Sequence, residues 1–382
     1  MKIIWSLALC ALVGAATSLS GQVKHDPAAL LADSQLLQAP MELPLAPSKT
    51  STVYHAEAGQ WQFNLHSYLA WYQGKFWAVW SAGKIDEDSG KQRIHYATSS
   101  DGHHWSAPGI LAEDPDGAEG PALWIARGVY SQGKHLYALA AYSEGHFQKN
   151  GQTESWHNLK LVRFEWTGKG WQKLRTYVDD CMNNFPPRSF GDHLFMTCRD
   201  SYSQMHTAVS DNLSGDHWSV SPLPASVPPS NMSEPSWYID PQGTGHILFR
   251  DAGRSKFLYH STSTDQGRTW SAPVRTNYPD ATSKNFATKL SNGWYFLINN
   301  PNQKKRDPLG ISFSRDGWSF SHPMALRKDA PALRFKGKHK GTGSFQYPHA
   351  IEHDGSLWVI YSVNKEDIEV SEFTLSSFGF SK

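Results

Sequence analysis

Charge of one sign is what this 382-residue chain most plainly lacks, with 36 lysines and arginines against 35 aspartates and glutamates. A balanced surface offers no bulk field to draw in nucleic acid or an anionic membrane, so partners have to be argued from sites. Long apolar runs are scarce too. The run from Ile3 to about Ala16 is shorter than the ~20 residues that span a bilayer, which argues against a membrane anchor. Cysteine is limited to three residues, and Cys10 lies inside the apolar run. Leu9 before it lacks the small side chain that precedes a lipidated cysteine. Only Cys181 and Cys198 are left for a disulfide.

Aromatics and turn formers are plentiful: 16 Trp, 30 Gly and 22 Pro, a composition that favours many short strands over helices. Met1-Lys2, the apolar run and the small residues of Ser18-Leu19-Ser20-Gly21 have the pattern of a cleaved secretory signal over residues 1–20. Residues 21–49, punctuated by Pro40, Pro44 and Pro47, read as a linker, and 50–382 as the folded domain. Export permits a bridge between Cys181 and Cys198, which flank the Gly191-Asp192 turn at nearly equal distances.

Internal repeats decide the architecture. Six segments share a strand, a glycine-containing tight turn and a second apolar strand, with the glycines at Gly74, Gly133, Gly191, Gly243, Gly293 and Gly355. In four units a third strand leads into an aspartate turn, complete in Ser263-Thr264-Asp265-Gln266-Gly267-Arg268-Thr269-Trp270. Variants stand at Ser99–Trp105, Ser210–Trp218 and Ser314–Phe320. There an aspartate caps backbone N–H groups, the glycine takes a positive φ, and the tryptophan packs beneath. Asp101, Asp265 and Asp316 are therefore structural. The unit from Gly120 to Val178 has lost this motif and carries an insertion around Glu144–Trp156. The last unit has about three strands, so a strand from Thr50 to Ala56 is expected to close the ring.

On these residues the sequence resembles the sialidase-like, Asp-box (bacterial neuraminidase repeat) proteins over nearly all of Thr50 to Leu375. The resemblance implies an all-β, six-bladed β-propeller with four antiparallel strands per blade. Such turns also occur in propeller polysaccharide lyases and in propellers that are not enzymes.

In such a blade the start of the innermost strand and the end of the second lie at one face. Counting from the glycines puts His66, Glu234, Lys284, Tyr347 and His349 there, with Arg127 and Arg188, and then Ser81, Tyr142, Arg199, Arg250, Asn300 and Asn364. Cations, a carboxylate, a phenol and histidines in one funnel suit an acidic or hydroxyl-rich ligand such as a sugar. The histidines show no metal-ligand spacing, so no metal or other cofactor is expected.

The resemblance assigns roles. Tyr347 looks like the family's tyrosine nucleophile and Glu234 like its activating glutamate. Arg250 matches one arginine of the carboxylate clamp, with Arg306 as a further member. Asp86 or Asp88 stands where an acid could protonate the leaving group. The clamp's first arginine is missing, and His66-Ser67-Tyr68-Leu69 stands in its place. A histidine there also resembles propeller lyases and rhamnosidase-like enzymes of uronate polysaccharides, in which Tyr142, Arg199 and Arg250 could serve. His66 has the plainer reading of a channel histidine, and Glu234 that of a carboxylate paired with Arg250. The expected protein is a secreted or periplasmic monomeric glycoside hydrolase that removes a terminal acidic sugar from an oligosaccharide or polysaccharide. Its catalytic residues would be Tyr347, Glu234, Asp86 and His66. Arg250, Arg199, Arg306, Lys284, His349 and Tyr142 would hold substrate. A uronate-directed lyase and a glycan- or protein-binding propeller are the alternatives.

Overall fold

Each of the six repeat glycines turns one strand back on the next in the computed structural model of the chain, with φ between 59° and 91°. The structure describes residues 25–145, 147–149, 152–225, 231–337 and 343–379. The segment read as a signal, 1–20, lies outside the described residues. Among the described residues no helix is long and apolar enough to cross a membrane.

Six antiparallel sheets form the blades of a propeller. Blade 1 runs Phe63–Tyr72, Lys75–Gly83, Arg93–Ser99 and Gly109–Ala112 from the inside out. Blade 2 runs Leu123–Gln132, His135–Ser143, Lys160–Trp166 and Trp171–Asp179. The insertion expected near Glu144–Trp156 contains a small hairpin, Phe147–Lys149 with Gln152–Glu154. In blade 3 the inner strand is broken into Met182–Asn183 and Arg188–Phe190, with Pro186-Pro187 between the pieces, where a ladder N–H would be missing. Blade 4 begins at Met232–Ile239 and ends at Val274–Pro279, and blade 5 runs from Phe286–Lys289 to Ser321–Arg327. The outer strand of blade 6 is Lys49–Tyr54, paired with Asp367–Thr374, so the ring closes through the expected early strand.

The aspartate turns join third strands to fourth, as expected, and they also fasten neighbouring blades. In blade 4, Asp265 Oδ1 accepts from Thr269 N at 2.9 Å and from Ser263 Oγ at 2.8 Å, and Trp270 Nε1 donates to Gly267 O at 3.0 Å. The turn's Gln266 O lies 2.9 Å from His193 Nε2 of blade 3. Blade 5 repeats this, where Tyr238 of blade 4 donates to Gly317 O at 2.7 Å. In blade 1 the turn sits against blade 6 so closely that a Cβ on Gly102 would meet the Trp358 ring at 2.2 Å. The glycine there is required by the approach of the next blade as well as by its φ of 74°.

One sequence reading is corrected. Cys181 and Cys198 are free, buried thiols, not a disulfide. The strand pairing sets Asn183 opposite Cys198, and burial together with the neighbouring thiol pushes the Cys181 thiol well above its ordinary value, away from the thiolate that exchange requires. In the stretch read as a linker, where it is described, Leu30, Leu31, Leu37 and Leu43 are buried against blades 4 and 5. Its backbone pairs with Phe320 and Ala325, covering an outer strand whose edge would otherwise be open.

Replacing Asp265 by alanine removes the acceptor that holds this turn. We expect a loss of about 1–2 kcal/mol in urea unfolding, with turnover per folded molecule unchanged.

Candidate active site

Four inner strands slip register near their start, between Leu65 and Tyr68, Ala126 and Gly128, Ser233 and Ser236, and Gln346 and His349. The extra residue is His66, Arg127, Glu234 or Tyr347, and all four line one cavity of about 470 Å3. A bulge re-aims the side chain that the strand would otherwise carry into its pleat. His66, Glu234 and Tyr347 hold φ of 52°, 45° and 60°, a left-handed conformation that costs non-glycine residues of order 1 kcal/mol or more and that clusters at functional sites.

Glu234, Tyr347 and Arg250 form a closed set. Tyr347 Oη donates to Glu234 Oε2 at 3.0 Å, Arg250 Nη1 donates to Tyr347 Oη at 3.1 Å, and the same nitrogen pairs with Glu234 Oε2. Burial alone would raise the Glu234 carboxyl, but Arg250, with Arg199 behind it, outweighs burial and holds it well below the usual carboxylate range. The Tyr347 phenol is pushed up by burial and by the Glu234 charge. At neutral pH the pair is therefore a carboxylate accepting from a protonated phenol, which is the arrangement a phenol nucleophile with a proton acceptor needs.

Across from them the loop after the second strand of blade 1 contributes Glu87 and Asp88. Burial opposes ionisation of Glu87, yet the Lys365 ammonium, paired with Oε2, and His66, 3.5 Å from Oε1, hold its carboxyl well down. Burial and the adjacent Glu87 charge push Asp88 the other way, up to about 7. Two neighbouring carboxyls driven apart in this manner can divide the roles of anion and acid. Burial and the Arg127 charge push the His66 imidazole down to about 3, so it is neutral, and its ring stands edge-on to Tyr347 at 5.0 Å.

Of the residues named from the sequence, His66, Arg127, Glu234, Tyr347, Arg250, Arg199, Arg306 and Asp88 share the cavity, and the others lie elsewhere. Asp86 is not on its wall: Oδ1 accepts from Glu87 N at 2.9 Å, and the loop turns at Asp88, φ 55°, so that Asp88 faces inward instead. Tyr142 donates to Glu144 at 2.9 Å and to Asp116 O at 3.2 Å, away from the cavity lining. Lys284 is wholly buried below, donating to Tyr68 Oη at 3.0 Å, and His349 is packed against Phe185 and Phe286. Arg188 lies over Trp237 and donates to Thr288 Oγ1 at 2.5 Å. Ser81, Asn300 and Asn364 bond backbone groups of adjoining segments.

The sequence reading passed over Glu87, Lys365, Gln346 and Trp156, which also line the cavity. Lys365 directly follows Asn364, where the strand count stopped, and both residues take positive φ in the turn. An Asn-Lys pair at the end of an apolar strand was the available signal. Among the described lining residues seven side chains are cationic and three carry carboxyls, so the cavity is built for an anion.

A six-bladed sialidase-like propeller with a tyrosine, a glutamate and arginines at one mouth of its channel is the class these features define. The chain belongs to the BNR repeat-like domain family, whose model matches residues 74–360. Among solved structures it is similar to a Dyadobacter fermentans protein of unknown function, at 17% identity and a TM-score of 0.64, covering 87% of this chain and all of that one. It is also similar to a leech intramolecular trans-sialidase complexed with 2,7-anhydro-Neu5Ac, at 14% identity and a TM-score of 0.65, covering 91% of this chain and 73% of that one. A third, a sialidase, shares 21% identity at a TM-score of 0.63, and the match covers 93% of this chain but 35% of that longer protein. At these identities the likeness is one of fold. No curated protein matches the sequence.

Glu87→Gln would leave the Lys365 ammonium, 6% exposed, without its counter-charge. We expect a loss of about 3 kcal/mol in urea unfolding at pH 7. Because the folded-state carboxyl is depressed, this contribution is complete above the unfolded value of about 4.3 and lost as pH falls further, so wild type and variant should converge in acid.

Proposed function

We propose that the protein is an exported glycoside hydrolase that removes a terminal acidic sugar with retention of configuration, with Tyr347 as nucleophile. The observation that carries this reading is the 3.0 Å hydrogen bond from the buried Tyr347 phenol to the Glu234 carboxylate, with Arg250 bridging the two. In the first step Tyr347 Oη bonds to the anomeric carbon and its proton passes to Glu234. The glycosidic C–O bond breaks, and the leaving oxygen takes the proton of Asp88. In the second step Asp88, now a carboxylate, deprotonates a water that attacks the same carbon. The Tyr347–sugar bond breaks and the phenol recovers its proton from Glu234. Arg250 and Arg306 hold the sugar's carboxylate, a task suited to planar guanidinium groups. Asp88 takes the acid role earlier given to Asp86 because it combines a place on the wall with a carboxyl that holds its proton near neutral pH.

A uronate lyase is the second reading, favoured by neutral His66, whose buried Nδ1 has no hydrogen-bond partner among the described residues. A lyase makes an unsaturated product that absorbs in the ultraviolet and a hydrolase does not, so one panel of sialylated, rhamnosylated and uronate glycans separates them. Turnover on none of these would favour a binding propeller.

Tyr347→Phe should lower kcat on the order of a thousandfold, and a 2-fluoro sugar should label Tyr347 in a peptide map of the wild type. Unchanged turnover in this variant would sink the hydrolase reading. With Asp88 as acid, kcat/KM should fall as pH rises through about 7. Asp88→Asn should flatten that limb and spare aryl glycosides, whose leaving groups need no proton.

A further inference from the structure

Arg127 and Arg199 stand apart from the clamp formed by Arg250 and Arg306. Arg127, the bulge residue of blade 2, is 1% exposed, and among the described residues its Nε has no hydrogen-bond partner. Arg199 ends the second strand of blade 3, with its guanidinium 5.1 Å from the centre of the Trp156 ring. Both reach the same neutral atom, Met182 Sδ, at 2.6 Å from Arg127 Nη2 and 3.3 Å from Arg199 Nη2. Among the described residues neither is ion-paired with a carboxylate, since Glu234 pairs with Arg250 and Glu87 with Lys365. A guanidinium cannot shed its charge as a lysine can, so buried Arg127 beside half-buried Arg199, neither ion-paired with a carboxylate among the described residues, suits an anion from outside the chain.

We propose that Arg127 and Arg199 form a second anion site, which takes a sulfate ester or a further carboxylate carried by the same glycan. The inference rests on the hydrolase reading only for the word glycan, because anion binding at this wall can be measured without turnover. It makes the substrate an oligosaccharide with at least two acidic groups, one held by blades 4 and 5 and the other by blades 2 and 3. Asp88, the acid of the hydrolase reading, lines the same cavity as both arginines, so the second anion would sit on the sugar that departs. Blade 1, which lacks the clamp's first arginine, contributes neutral His66 to the same cavity wall.

Met182→Glu provides the test, because it offers both guanidiniums an internal carboxylate. Binding of inorganic sulfate and of free glucuronate is measured by calorimetry on the wild type, Met182→Glu and Arg199→Gln. We expect wild-type sulfate binding to weaken at least tenfold in both variants, while the melting temperature of Met182→Glu rises. Arg199 is on the cavity wall, so Arg199→Gln keeps the test open if Met182→Glu does not fold. The ratio of the wild-type affinities for sulfate and glucuronate assigns the group. Sulfate and glucuronate binding unchanged by either variant, or absent from the wild type, overturns the second site and leaves the Tyr347 labelling test untouched. Failure of that labelling with sulfate binding lost in the variants would overturn the hydrolase reading alone.

Discussion

A strand in a sheet presents its side chains up and down, into the contacts with neighbouring blades, and not along the channel. Every candidate reacting group on the inner strands of this protein depends on breaking that rule once. His66, Arg127, Glu234 and Tyr347 are each the surplus residue of a bulge, and the left-handed backbone at three of them is the local cost of turning a side chain toward the axis. The rest of the ladder supplies the stability that tolerates it. Beyond the bulge the inner strand of blade 6 pairs in regular register from His349 to His353, and its neighbours Leu357, Val359 and Tyr361 are completely buried.

The two faces of the propeller consequently do different work. On the far face, aspartate turns satisfy their own backbone and lock onto the preceding blade through Gln266, Gly317 and the glycine under Trp358. On the near face, charged groups are left in excess and compete for few partners: Arg250 takes Glu234, and Lys365 takes Glu87. Low local dielectric magnifies both the pairs that form and the charges that have none. Turns that satisfy their own backbone gather on one face, and an excess of cationic side chains on the other.

The fold was legible because its signals are local. A glycine in a two-strand turn and an aspartate four residues before a backbone N–H act within a few residues of themselves, so Gly74 or Asp265 can be read without knowing what packs against them. The site was legible in part for the same reason: Glu234 and Tyr347 lie at a countable distance before their glycines. Asp86 was taken where Asp88 lines the cavity because the choice turns on one left-handed residue in a loop, and no periodicity constrains a loop. His349 lies on the inner strand of blade 6 and Lys284 two residues before that of blade 5, but whether a side chain there faces solvent or the floor depends on blades distant in sequence. The free thiols depend on strand register, which the spacing of Cys181 and Cys198 about a glycine does not fix.

Closure of the last blade reaches across almost the whole chain, since Thr50 Oγ1 meets Ser371 Oγ at a separation of 321 residues. Five blades can form from contiguous chain as it is synthesised, but the sixth must wait for its final strand while Lys49–Tyr54 stays unpartnered. Loop closure grows only logarithmically with length, so bridging this span costs about 2 kcal/mol more than closing a single blade. The burden falls on time: one early strand is the last to be satisfied, and until then the ring is an open arc with two unprotected edges.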